Sequence, residues 1–112
     1  MSRTVFKLQS LVSGREPAVT TEVAVTGEID VTNADEFSQS LMALDGRWPI
    51  ILQLSGLGYL DSAGFAALDR LLALGVIVVV LSPESVVHKA AELMELPFHH
   101  DTETARRVVQ ES

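Results

Sequence analysis

Apolar and polar residues alternate at the start of the chain. Phe6 to Val12 has a loose period of two, with Phe6, Leu8 and Val12 on one face, and predicts a half-buried strand. Ser13-Gly14-Arg15-Glu16-Pro17 reads as a turn. Thr21 to Thr26 alternates again with Val23 and Val25 on the apolar face, so the two segments predict an N-terminal hairpin. Gly27 is expected to end the second strand, with Glu28-Ile29-Asp30-Val31 as a loop. Thr32 or Asn33 then caps a helix, and Asn33 with Glu36 has capping-box spacing. Phe37, Leu41 and Leu44 share one helical face, and Asp45-Gly46 stops that helix.

The second half of the chain alternates strands with helices. Ile50 to Leu54, behind Pro49, is a short apolar run that predicts a central strand. Ser55-Gly56-Leu57-Gly58-Tyr59-Leu60-Asp61 is expected to be a loop. Ser62 opens a second helix with Phe65, Leu68, Leu71 and Leu72 inward and Gly75 as its stop. Val76 to Leu81 is nearly all β-branched and predicts a buried strand. Pro83 behind Ser82 suits the first turn of a third helix from about Glu84 to Glu95, with Val87, Ala91 and Met94 along one side. Pro97-Phe98 leads to a short strand or extended piece, and Asp101 or Thr102 caps a last helix through Val109. The order β-β-α-β-α-β-α-(β)-α predicts one α/β domain over residues 1–112, with a mostly parallel mixed sheet, an N-terminal hairpin and about four helices. Functional loops in such sheets gather at the C-terminal strand ends, which selects Gly27 to Asn33 and Ser55 to Ser62.

Composition narrows the function. The chain is 47% apolar with only 5% aromatic residues, so it can build an aliphatic core. Its net charge of −7 argues against general nucleic-acid binding and against an anionic membrane surface. It has no cysteine, which excludes disulfides and thiol chemistry. The N-terminal residues lack an apolar h-region, and Leu71 to Leu81 is too short and too broken by Gly75 to span a bilayer, so a cytoplasmic protein without membrane insertion is expected.

The candidate chemistry centres on Asp61-Ser62-Ala63-Gly64. Ser62 at a helix start either caps the helix or accepts a phosphate, which unpaired N–H groups and the helix dipole stabilise there. Asp61 could cap, orient the hydroxyl or assist proton removal. Gly64 either admits a partner's backbone or lets helix pack on strand.

These residues resemble the STAS domain family. Gly27-Glu28-Ile29-Asp30 is similar to its second-strand motif, and Leu54 through Phe65, with Asp61-Ser62-Ala63-Gly64 inside it, is similar to its phosphorylation loop. The segment Val76 to Leu81 followed by Ser82-Pro83 and a helix fits the same pattern, so the resemblance covers nearly the whole chain. It implies a STAS fold and the role of a free-standing anti-sigma-factor antagonist, a non-enzymatic binding protein without cofactor. On that reading the unphosphorylated form binds an anti-sigma factor with serine kinase activity and frees the sigma factor. Phosphorylation of Ser62 ends the binding, and a serine phosphatase resets it. Glu28, Asp30, Gly58, Tyr59, Asp61, Ser62 and Gly64 are the expected partner-binding residues. Ala63 stands where the family usually has a second hydroxyl, and Gln53 where it often has Asp.

Other constellations point nowhere specific. His99-His100-Asp101 has adjacent ligands facing opposite ways, and His88 is the only other histidine, so no metal site is expected. The G-x-S-x-G elbow and the phosphate-binding G-x-x-x-x-G-K-S/T loop are both absent. Trp48 and Tyr59 are isolated aromatics, and Arg106-Arg107 suits the dipole at the end of the last helix. The alternatives are a STAS subunit regulating a membrane lipid-transport ATPase and, below it, a small-molecule or nucleotide sensor.

Overall fold

The alternating residues at the start of the chain form β1 (Phe6–Ser13), which pairs antiparallel with β2 (Thr20–Ile29) and makes the expected hairpin. The computed structural model describes residues 5–13, 20–44 and 48–111; the turn residues Gly14 to Pro17 and the Asp45-Gly46 stop lie outside them. β3 (Ile50–Leu60) and β4 (Ile77–Val80) complete a four-stranded sheet in the order β1-β2-β3-β4, with β2, β3 and β4 parallel. The mixed α/β architecture is the one the chain order predicts.

Three helices cover one face of the sheet: α1 (Ala34–Met42), α2 (Ser62–Ala73) and α3 (His88–Leu93). Their apolar sides meet every second residue of the strands. Val23, Val25, Leu52 and Leu54 from the sheet join Phe37, Leu41, Phe65, Leu68, Leu71, Val87 and Ala91 from the helix layer in one core. Each fully buried side chain of the size of Leu or Phe contributes roughly 1.5–3 kcal/mol. Phe6 of β1 packs edge-on against Phe37 with centroids 5.6 Å apart, tying the hairpin to α1.

The opposite face is covered by α4 (Thr102–Glu111), whose Ala105 is buried with Ile51 and Val80 while Val78 and Val109 pack alongside. Arg106, expected only to complement a helix dipole, instead donates from Nε and Nη2 to Glu22 Oε2 on β2 at 3.0 and 2.7 Å.

Three expectations need correction. β2 does not end at Gly27, and Ser55 to Leu60 is strand, not loop. Gly27 takes φ +95°, where a Cβ would lie 2.4 Å from Val5 O, and the strands absorb the irregularity as register shifts between Ala24 and Thr26 and between Gly27 and Glu28. The third helix is also shorter than expected: Ser82 to Val87 forms turns, with the Ser82 hydroxyl bonded to the Glu84 carboxylate, and α3 starts only at His88. That bond holds the Glu84 carboxyl below its ordinary pKa. Met94, at the C-terminal end of α3, is exposed, and Leu96 supplies the buried contact beyond it.

Candidate functional site

β2 and β3 are neighbours and parallel, so their C-terminal ends open side by side. The residues between β2 and α1 leave one edge, and those between β3 and α2 leave the other. Asp61 joins them. One carboxylate oxygen, Oδ1, accepts from Gly64 N at 3.0 Å and caps α2. The other, Oδ2, accepts from Val31 N at 3.2 Å, thirty residues back in the chain. The Asp61 backbone N–H also donates to Ile29 O at 3.2 Å.

The β2–α1 connection is ordered from within. Asn33 is buried and precedes α1, but its side chain makes no cap. Its Oδ1 accepts from Asp30 N at 3.0 Å and its Nδ2 donates to Glu28 O at 3.0 Å, so the expected capping box is replaced by a loop brace. Sequence reasoning saw the residue and missed this use, because a short polar side chain before a helix has the same signature either way. Asp30 is half-buried, and its Oδ1 accepts from the backbone N–H and the hydroxyl of Thr32 at 2.8 and 2.5 Å.

What faces outward is a small mixed surface. Ser62 is exposed, and among the described residues its hydroxyl has no hydrogen-bond partner, because Asp61 does the capping. Of the two roles open to Ser62, the structure removes the cap. Glu28 is exposed and sits opposite Tyr59 in the β2–β3 register, and Gly58 beside it is exposed too. Tyr59 is 49% exposed and Val31, which no sequence signal marked, is 76% exposed. Gly64 is buried: a Cβ there would lie 2.3 Å from Leu60 Cδ1 and 3.2 Å from Ile29 Cγ2. Of the two roles open to Gly64, the structure favours seating α2 on the strand ends over direct contact.

A second polar chain sits where β4 ends. Gln53 Oε1 accepts from the Ser55 N–H and hydroxyl at 2.9 and 2.5 Å, and Ser55 Oγ accepts from Ser82 N at 2.8 Å. Gln53 thus braces Ser55 in the strand with an uncharged amide. The histidines are spread over other tasks. His99 joins β4 through Val79 and Leu81, while His88 meets Phe98 edge-on and His100 packs tilted against both rings. Among the described residues no group of three His, Asp or Glu is arranged to hold a metal, and no helix is long and apolar enough to cross a membrane. Trp48 is half exposed.

A four-stranded mixed sheet with helices on both faces and an exposed serine behind a capping aspartate define the class of α/β domain to which the chain belongs. The STAS domain matches residues 14–109, and the chain belongs to the STAS domain family. Its fold is shared with the crystal structure of an anti-sigma factor antagonist from Mycobacterium paratuberculosis, at a TM-score of 0.63 and 19% identity over 95% of this chain and 96% of that one. No curated protein matches the chain.

Proposed function

We propose that this chain is an anti-sigma-factor antagonist, switched by phosphorylation of Ser62. The unphosphorylated form binds an anti-sigma factor with serine kinase activity, and the sigma factor is released. In the transfer, the Ser62 hydroxyl oxygen attacks the γ-phosphorus of ATP, the bond to the β-phosphate oxygen breaks, ADP leaves and the hydroxyl proton is lost to solvent or a base. A serine phosphatase hydrolyses the ester and restores the binding form. Family membership and the shared fold support the reading.

One observation carries it: the Ser62 hydroxyl is exposed and unspent at the start of a helix that its neighbour already caps. The first turn of α2 holds no acidic residue, so the dipole and the free N–H groups favour a phosphate there by about 0.3–1 kcal/mol. The phosphate adds nearly two negative charges to a face shared with Glu28, Asp30 and Asp61. It also occupies the place of the donor's γ-phosphate, so rebinding to an ATP-loaded kinase brings phosphate against phosphate.

The test is phosphorylation of the purified protein by the anti-sigma factor kinase and ATP, with site mapping by mass spectrometry. Ser62→Ala should bind the kinase and take no phosphate, and Ser62→Asp should bind poorly. Absence of phosphate on Ser62 together with wild-type affinity of the Asp variant would overturn the proposal.

A further inference from the structure

The connection between β2 and α1 inverts the usual burial. Asn33 is 5% exposed, and Val31, two residues before it, is 76% exposed. A loop folded for stability alone does the reverse, because burying an amide costs free energy unless it is hydrogen-bonded and burying a valine gains it. Here the polar groups are used inward. Asn33 braces Asp30 N and Glu28 O, and the Asp30 carboxylate holds Thr32. Asp30 O accepts from Asn33 N and Ala34 N at 3.2 and 2.9 Å. The loop is fixed by its own bonds, and the valine within it faces water.

A single exposed valine needs no explanation by itself. Val31 is set apart by where it is held. Its N–H donates to Asp61 Oδ2 at 3.2 Å, and the other oxygen of that carboxylate caps the helix that Ser62 opens. One side chain therefore fixes Val31 against the residue that precedes Ser62. A kinase that brings the γ-phosphorus of ATP within about 3–3.5 Å of the Ser62 hydroxyl has to lay its surface over these neighbours. Tyr59, half exposed and across from Glu28 in the β2–β3 register, adds a second partly apolar side chain at the same strand ends.

We propose that Val31 is the apolar anchor on which the anti-sigma factor kinase seats when it phosphorylates Ser62, and that Asp61 is the positioning residue that holds it there. This rests on the function proposed above and adds what sets the fit between the two proteins. The kinase surface beside its ATP site then carries an apolar recess for a β-branched side chain. An anchor whose backbone is already fixed loses little freedom on binding, so its burial goes into affinity.

The test measures phosphorylation of the full chain by the purified anti-sigma factor kinase, with kcat and KM separated. Val31→Ala should melt at the wild-type temperature, raise KM about tenfold and leave kcat unchanged, because only the burial of its methyl groups is lost. Val31→Ile keeps the branched side chain and should restore the wild-type KM. Asp61→Asn has one carbonyl oxygen where the carboxylate offers two to Gly64 N and Val31 N, and it should also raise KM about tenfold. In the double variant the two losses should not add, since trimming an anchor that is no longer held costs little more. Unchanged KM in Val31→Ala overturns the anchor, and a rise of about a hundredfold in the double variant overturns the positioning role. Both outcomes leave the Ser62 switch standing. Absence of phosphate on Ser62 of the wild-type chain overturns the proposed function and this inference with it.

Discussion

The starts of α2 and α4 are built alike and are put to different uses. Each is an aspartate followed by a hydroxyl residue: Asp61-Ser62 and Asp101-Thr102. Each aspartate caps its helix with Oδ1, accepting from Gly64 N at 3.0 Å and from Thr104 N at 2.7 Å. Beyond that they diverge. Asp61 spends its second oxygen on Val31 and so locks two strand ends together, while Asp101 is exposed and serves its own turn. Thr102 Oγ1 is half-buried beneath a long 3.5 Å contact from Gln53 Nε2, whereas Ser62 faces solvent. Glu103 sits in the first turn of α4, where it would repel a phosphate, and the first turn of α2 has no acid. Two similar dipeptides leave a half-buried hydroxyl in one place and an exposed one in the other, because of what lies across from each.

The largest effect should separate the two aspartates. Asp61→Ala removes a cap and the tie to Val31 together and should destabilise the fold by about 2 kcal/mol. Urea denaturation checks the size, and hydrogen exchange should show the loss shared between α2 and the 28–33 segment. Asp101→Ala should give a smaller loss, with faster exchange confined to α4. Equal and local effects at both sites would dissolve the contrast.

Acid gives a finer separation. The Thr104 backbone N–H, then its side chain, hold the Asp101 carboxyl below its ordinary pKa, with Arg107 and His100 adding to it. A depressed carboxyl contributes stability that is complete above the ordinary value and lost as pH falls through the lowered one. Fraying of α4 should therefore begin below about pH 4, visible as lost amide protection at Thr104.

The smallest effect belongs to Ser62. Among the described residues its hydroxyl has no partner, so Ser62→Ala should change stability by no more than about 0.5 kcal/mol by urea denaturation. A larger loss would mean that the hydroxyl has a structural task.

Much of this was legible in the chain. Period-two and helical spacing placed the core: Val23, Val25, Phe37, Leu41, Leu68 and Leu71 are buried as their patterns require. The element order was enough for a mixed α/β sheet, and the spacing of Gly27-Glu28-Ile29-Asp30 and Asp61-Ser62-Ala63-Gly64 was enough for the family. Gly27 has the signature of a strand end yet lies inside β2, because a bulge lets the parallel strands pass through it. Pro83 is ambiguous in the same way, since a proline suits a first helical turn and a free turn equally.

Local pattern, then, determined most of the residues that turn inward and the order of the elements, since burial follows periodicity, but not where β2, β3 and α3 begin or end. Only the tertiary structure decided that the Ser62 hydroxyl stays exposed and which acid bridges two loops. Those facts depend on groups thirty residues apart, such as Val31 and Asp61, whose distance no local pattern encodes.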